Sequence, residues 1–129
     1  MSQSEPAAES ARVLDAMTIV LGLFGLGNLA NGIWMLAAPV HWYYTLPAAV
    51  PDFGPLNEHF IRDIGCIFTL LGVALVGAAF RPSWRIAATA TAAGFSLLHA
   101  LVHVVDTVRG LVGPEHWMID APGVYAPAV

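Results

Sequence analysis

Residues 57–80 read NEHFIRDIGCIFTLLGVALVGAAF, a run that contains no charged residue after Asp63. A helix of about 20 apolar residues is long enough to cross the hydrocarbon core of a bilayer. Two further runs of this kind occur in the chain. We therefore predict an all-α integral membrane bundle with three transmembrane helices, at about 14–38, 59–80 and 84–109.

The composition also indicates a protein that lies in the lipid bilayer. Of the 129 residues, 57% are hydrophobic and 11% are charged, whereas an ordinary soluble domain has about 25% charged residues. The five basic residues and the nine acidic residues give a formal net charge of −4. Binding of a nucleic acid requires a basic face, so this class of partner is excluded.

The remaining segments are expected to be irregular. Residues 1–13 are polar and acidic, which is typical of a disordered tail. Residues 39–57 hold four prolines and several aromatic residues, which favours a loop along the membrane interface. Residues 110–129 are interrupted by Gly and Pro and are too short to cross the membrane again. We thus predict one transmembrane domain, 14–109, between two tails.

The arginines indicate an orientation. Arg12, Arg81 and Arg85 fall on one side of the predicted membrane, and Arg62 and Arg109 fall on the other. Because cytoplasmic segments carry the excess of positive charge, we expect the N-terminus inside and the C-terminus outside a bacterial inner membrane. All the histidines then fall in or near the outer half of the protein, namely His41, His59, His99, His103 and His116.

Two polar stripes share one helical spacing. The second helix places side chains at positions i, i+4 and i+7, which lie on one face, and these are His59, Asp63 and Cys66. The third helix repeats the spacing with His99, His103 and Asp106. Since the turn between the two helices is short, we expect antiparallel neighbours whose stripes face each other.

This arrangement predicts a metal centre. Two imidazoles at i and i+4 can bind one ion from the same side, and a carboxylate from the neighbouring helix completes a mixed nitrogen and oxygen ligand set. We predict a transition-metal site for copper, iron or zinc at the outer end of the bundle, with the candidate ligands His59, Asp63, His99, His103 and Asp106. Haem fits less well, because His99 and His103 lie on one side of one helix and cannot both be axial ligands. His41 and His116 are expected to be interfacial polar residues.

The same residues allow other interpretations. Arg62 could pair with Asp106. Arg109 could likewise pair with Glu58 or Asp63, which would make the cluster a structural polar network. The small-residue faces of the helices would then favour a homo-oligomer, or docking onto a larger membrane complex as a non-enzymatic accessory subunit.

A proton relay is a further alternative for these ionisable groups, because ionisable residues inside membranes often carry protons. Whether the protein is an enzyme stays open at this stage. A redox metal at membrane depth would suit oxidation of a lipid-like or small apolar molecule.

Four segments of the chain share a pattern with known membrane proteins. They are GIWMLAAP at 32–39, WYYTLP at 42–47, NEHFIRDIG at 57–65 and LHALVH at 98–103. Together they resemble the small bacterial membrane proteins related to the DoxX-like families, over roughly residues 20–106. This resemblance implies a compact membrane helix bundle without an agreed biochemical activity.

Overall fold

The computed structural model describes residues 15–129, so the predicted tail at 1–13 lies outside the described residues. Its helices are α1 (Ala16–Ala37), α2 (Pro39–Thr45), α3 (Glu58–Phe80), α4 (Arg85–Val108) and α5 (His116–Ile119). Residues 15–129 contain no β-strand. The long helices α1, α3 and α4 are apolar enough to cross a membrane. The predicted fold class, an all-α bundle with three candidate transmembrane helices, is confirmed.

Side-chain caps set where the long helices begin. Asp15 accepts a hydrogen bond from the backbone N–H of Thr18 at the start of α1, at 2.6 Å. Asn57 accepts one from the backbone N–H of Phe60 at the start of α3, at 3.0 Å. Such caps satisfy N–H groups that have no partner within the helix. The three long helices begin and end within two residues of the bounds expected from the sequence.

The segments expected to be irregular contain short helical turns instead. Segment 39–57 holds α2 and a 3-10 turn at Val50–Phe53. Segment 110–129 holds α5, a π-helical turn at Ala121–Tyr125 and a 3-10 turn at Ala126–Ala128. Proline occupies the first or second position of α2 and of these three turns. At these positions a backbone N–H has no partner within the helix, so the N–H that proline lacks is not needed. The prolines therefore begin these helical turns rather than prevent them.

Glycines bring α1 and α3 close together. Gly25 and Gly32 of α1 and Gly65 and Gly72 of α3 are buried. At each of these four positions, an added Cβ atom would collide with atoms of the other helix. The missing side chains let the two backbones approach. This contact sets how α3 is rotated about its own axis.

Helix α4 packs on a second face of α3. The contact consists of small and branched buried side chains, Leu71, Leu75 and Ala78 of α3 with Ala88 and Ala92 of α4. Further from the connecting turn, the Phe68 and Phe95 rings meet edge to face with their centroids 5.4 Å apart. Two faces of α3 are therefore occupied, one by α1 and one by α4.

We term the end of the bundle that carries Arg81 and Arg85 the arginine end. The side chain of Arg85 stabilises this end by several hydrogen bonds. The Arg85 guanidinium donates to the Asp15 carboxylate at 3.0 Å and to the Thr18 hydroxyl at 2.8 Å. It also donates to the backbone carbonyl of Ala78 at 3.4 Å. The backbone hydrogen bond from Thr18 and then the hydrogen bond from Arg85 lower the pKa of Asp15 to about 2. These contacts tie the start of α1 to the turn between α3 and α4.

Candidate functional site

The opposite end of the bundle, which we term the histidine end, brings together the end of α1, the start of α3 and the end of α4. Segment 39–57, which connects α1 to α3, and segment 110–129, which follows α4, complete this end. The elements of the histidine end supply all five histidines, His41, His59, His99, His103 and His116. The candidate site is therefore built from elements that are far apart in the sequence.

A continuous set of hydrogen bonds links two histidines and two aspartates here, and we term it the His–Asp network (Asp52, His103, His116 and Asp120). Nε2 of His116 lies 3.2 Å from Oδ2 of Asp52, and Nδ1 of His116 lies 3.4 Å from Oδ1 of Asp120. Oδ2 of Asp120 lies 2.8 Å from Nδ1 of His103. The side chains of His116 and Asp120 are both 0% exposed. The network joins the 50–53 turn and α5 to α4.

Aromatic rings pack against the two histidines of the network. The centroid of the Phe53 ring lies 4.7 Å from that of His103 and 4.8 Å from that of His116. One turn earlier in α4, the His99 ring meets the His103 ring with centroids 4.7 Å apart and stacks on Phe95. Because the side chains of His116 and Asp120 are buried, the hydrogen bond between them is electrostatically stronger than an exposed one.

The two carboxylates favour the charged form of His116. Burial of the ring acts to lower the pKa of His116, but the hydrogen bonds to Asp52 and Asp120, together with the charges of both carboxylates, outweigh it. The pKa of His116 is therefore raised above its ordinary value. Burial, and then the charge of Asp120, also raise the pKa of Tyr125.

We expect the protein to lose stability as the pH rises through the pKa of His116. Because this pKa is higher in the folded chain than the ordinary value of 6.5, the stabilisation is fully present below pH 6.5 and is lost as the folded ring deprotonates. The size of the loss depends on how far the pKa of His116 lies above 6.5 in the folded chain.

Thermal unfolding in mild detergent between about pH 6 and pH 9 tests this expectation. The unfolding temperature of the unaltered protein should fall over this range, whereas that of His116→Gln should change much less. Parallel curves for the two proteins would contradict the assignment to His116.

The structure distributes the five predicted metal ligands over three places. His59 and Asp63 pair with each other on α3 at 3.4 Å, with side chains 89% and 61% exposed. His99 and His103 are in ring contact on α4. Asp106 forms no ion pair with another side chain of residues 15–129. Within the same range, no three His, Cys, Asp or Glu side chains form a group that could hold a metal ion.

The two stripes do not face each other, contrary to the expectation from antiparallel pairing. Gly65 and Gly72 turn one face of α3 toward α1, and Leu71 and Leu75 turn a second face toward α4. The residues of α3 that pack against neither α1 nor α4 form a third face. This face is exposed and carries the stripe of His59, Asp63 and Cys66.

The arginines also pair differently from the ion-pair network considered above. Arg62 donates to Glu58 on its own helix at 2.9 Å, not to Asp106. Arg109 is exposed and forms no ion pair with the carboxylates of residues 15–129. The arginines therefore do not tie α3 to α4 at the histidine end.

The buried centre of the site, His116 and Asp120, was missed by the sequence reasoning. His116 was expected to be an interfacial polar residue, but it is fully buried. A signal was present, because His116 and Asp120 have the same i, i+4 spacing as His59 and Asp63. The neighbouring glycines and prolines concealed it by indicating an irregular tail.

No family model, curated protein or solved structure matches the chain. The resemblance to the DoxX-like families stays a hypothesis that rests on the four motifs.

Proposed function

We propose that the chain is a non-enzymatic accessory subunit of a membrane assembly, formed with further copies of itself or with a larger membrane complex. The observation that carries this proposal is the exposed polar stripe of α3, formed by His59, Asp63 and Cys66. In a bilayer, this face of α3 would meet lipid unless another helix covered it.

The depth of Asp63 strengthens the argument. Helix α3 ends at the exposed residue Phe80, which is followed by Arg81 at the arginine end. Asp63 lies about 26 Å from Phe80 along the helix, at 1.5 Å per residue. This distance is shorter than the hydrocarbon core of about 30 Å. An ionisable side chain at that depth is costly unless it is paired or covered, and hydrogen bonds to a neighbouring helix commonly cover it.

The His–Asp network supports a structural role for the buried polar groups. His116 and Asp120 bond to each other, and each also bonds to a residue of another segment, Asp52 and His103 respectively. A fully bonded buried network specifies one arrangement of the segments that it joins. In our proposal, the network keeps the histidine end rigid, so that the α3 stripe is presented to the partner in one geometry.

The metal centre predicted from the sequence is the second candidate function. The observation that favours it is the contact between the His99 and His103 rings, whose centroids lie 4.7 Å apart. Imidazole ligands suit copper, iron and zinc. The exposed carboxylate of Asp63 from a neighbouring copy would then complete the ligand set together with these rings.

One preparation tests both candidates. The protein is purified in mild detergent without a chelator or a histidine tag, and its molar mass, co-purifying proteins and metal content are measured. We expect an oligomer or a stoichiometric complex, and we expect His59→Leu with Asp63→Leu to weaken the association about tenfold or more. Thr91→Leu is the control, because it changes an exposed polar residue of α4 outside the stripe.

The single cysteine provides a second measurement. Cys66 lies on the stripe and is exposed, so self-association through the stripe should allow oxidative cross-linking of two chains in the membrane. A protein that stays monomeric in lipid nanodiscs, without a stoichiometric partner, would refute the subunit proposal. Both the unaltered protein and the double variant His99→Ala with His103→Ala are reconstituted with each metal. A content of about one metal ion per chain in the unaltered protein, and none in the double variant, would favour the metal centre instead.

A further inference from the structure

A groove of about 620 Å³ opens at the histidine end, between α2 and the first turns of α3. Apolar residues from Ala37 to Val40 form part of its lining, and its polar lining residues are His41, Tyr44, Thr45, Glu58 and Arg62. Helix α2 directly follows the first transmembrane helix and carries aromatic side chains typical of the membrane interface. The groove therefore lies where the lipid headgroups meet the hydrocarbon core, and its lining suits a ligand with a polar head and an apolar chain.

On the α3 side, the groove presents two opposite charges next to each other. Nη2 of Arg62 donates to Oε2 of Glu58 at 2.9 Å, and the two side chains are 47% and 45% exposed. A guanidinium has five N–H donors in a planar fork, so this pairing leaves donors for a phosphate. The Glu58 carboxylate likewise keeps lone pairs that can accept from an ammonium group.

On the α2 side, His41 supplies a further donor. Nε1 of Trp34 donates to Nδ1 of His41 at 3.0 Å. A neutral imidazole that accepts at Nδ1 carries its proton on Nε2, so Nε2 of His41 is a donor. The hydroxyl of Thr45 donates to the backbone carbonyl of His41 at 2.6 Å, which holds this residue in place.

We propose that the groove binds a zwitterionic phospholipid with a primary amine in its headgroup, of the phosphatidylethanolamine class. The phosphate lies against Arg62 and Nε2 of His41, the ammonium group lies against Glu58, and an acyl chain follows the apolar lining beside α1. The adjacent charges of Arg62 and Glu58 match the zwitterion. An anionic headgroup would bring no positive charge to the Glu58 carboxylate. A choline headgroup has a positive charge but no N–H to donate to it.

The proposal does not depend on the function proposed above, because the charged residues of the groove differ from the residues altered in the stripe. Arg62 and Glu58 line the groove, whereas His59 and Asp63 belong to the stripe. Loss of lipid binding and loss of association are therefore separate results, obtained with different variants.

Native mass spectrometry of the full chain, released from bilayers that contain equal amounts of three lipids, tests the proposal. The lipids are phosphatidylethanolamine, phosphatidylcholine and phosphatidylglycerol. We expect one retained phosphatidylethanolamine per chain, and we expect Arg62→Gln to reduce its retention about tenfold. Glu58→Gln should remove the preference over phosphatidylcholine. Arg109→Gln and Glu115→Gln, which make the same changes outside the groove, should leave retention unchanged.

Three results would overturn the proposal. The first is equal retention of all three lipids by the unaltered protein, and the second is unchanged retention in a folded Arg62→Gln variant. The third is competition by water-soluble phosphoethanolamine as strong as that by the whole lipid, which would identify a headgroup ligand without an acyl chain. Because Arg62 and Glu58 are half-exposed and pair with each other, both variants are expected to fold, and their unfolding curves check this.

Discussion

Asp120→Ala is expected to lower the free energy of unfolding by about 3–5 kcal/mol, the cost usual for removing one partner of a buried charged pair. The Asp120 carboxylate is 0% exposed and lies 2.8 Å from Nδ1 of His103 and 3.4 Å from Nδ1 of His116. Its removal leaves two imidazole nitrogens without their partner, away from water. We expect segment 110–129 to detach from α4, because the hydrogen bond between Asp120 and His103 joins the two.

The chain offers a matched control for this experiment. His59 and Asp63 have the same i, i+4 spacing as His116 and Asp120 and the same nitrogen–oxygen distance of 3.4 Å, but they are exposed. Asp63→Ala should therefore change the stability of the single chain by at most about 1 kcal/mol. Both variants are compared by thermal unfolding in a detergent that keeps the chains single.

Protease susceptibility reports where the Asp120 variant opens. Cleavage should appear first within segment 110–129 and leave the three long helices intact. Equal losses of stability in Asp120→Ala and Asp63→Ala would contradict the argument, because burial is what distinguishes the two pairs.

Gly72→Ala is expected to destabilise the bundle by about 1–3 kcal/mol, the range usual for overpacking a close contact. A Cβ atom at Gly72 would lie 2.6 Å from the backbone nitrogen of Leu29 and 2.8 Å from the carbonyl oxygen of Gly25. Both atoms belong to the backbone of α1, so no flexible side chain can move aside. The two helices would have to separate.

Gly27→Ala and Gly94→Ala are the controls for this substitution. Apart from the neighbouring residues and backbone of its own helix, no atom lies within 4 Å of the position that a Cβ atom would take at either residue. Alanine also favours a helix over glycine by up to about 1 kcal/mol, so these variants should unfold at the same temperature as the unaltered protein or slightly higher. Similar destabilisation in all three variants would show that the contact at Gly72 does not set the packing of α1 against α3.

Much of the fold follows from local sequence. A run of apolar residues of membrane-spanning length forms a helix whatever its neighbours are, because each backbone N–H and C=O must find its partner inside the segment in lipid. The expected long helices accordingly agree with α1, α3 and α4 to within two residues. The short turns were harder to predict, since proline at their starts resembles proline in a loop.

The candidate site was less predictable, because spacing along one helix does not reveal the direction in which that helix faces. Three pairs share the i, i+4 spacing, namely His59 with Asp63, His99 with His103, and His116 with Asp120. In the structure, the first pair is exposed, the second is in ring contact inside the bundle, and the third is buried. Their different environments come from contacts with residues far away in the chain.

The sequence by itself determined the number of long apolar helices and the end of the bundle at which the histidines collect. Hydropathy and helix length are properties of single segments, which is why these conclusions needed no tertiary information. Only the tertiary structure decided which polar residues meet. The close approach of Gly65 and Gly72 to α1 rotates α3 so that Asp63 points away from α4. The folding back of segment 110–129 then brings Asp120 to His103 in its place.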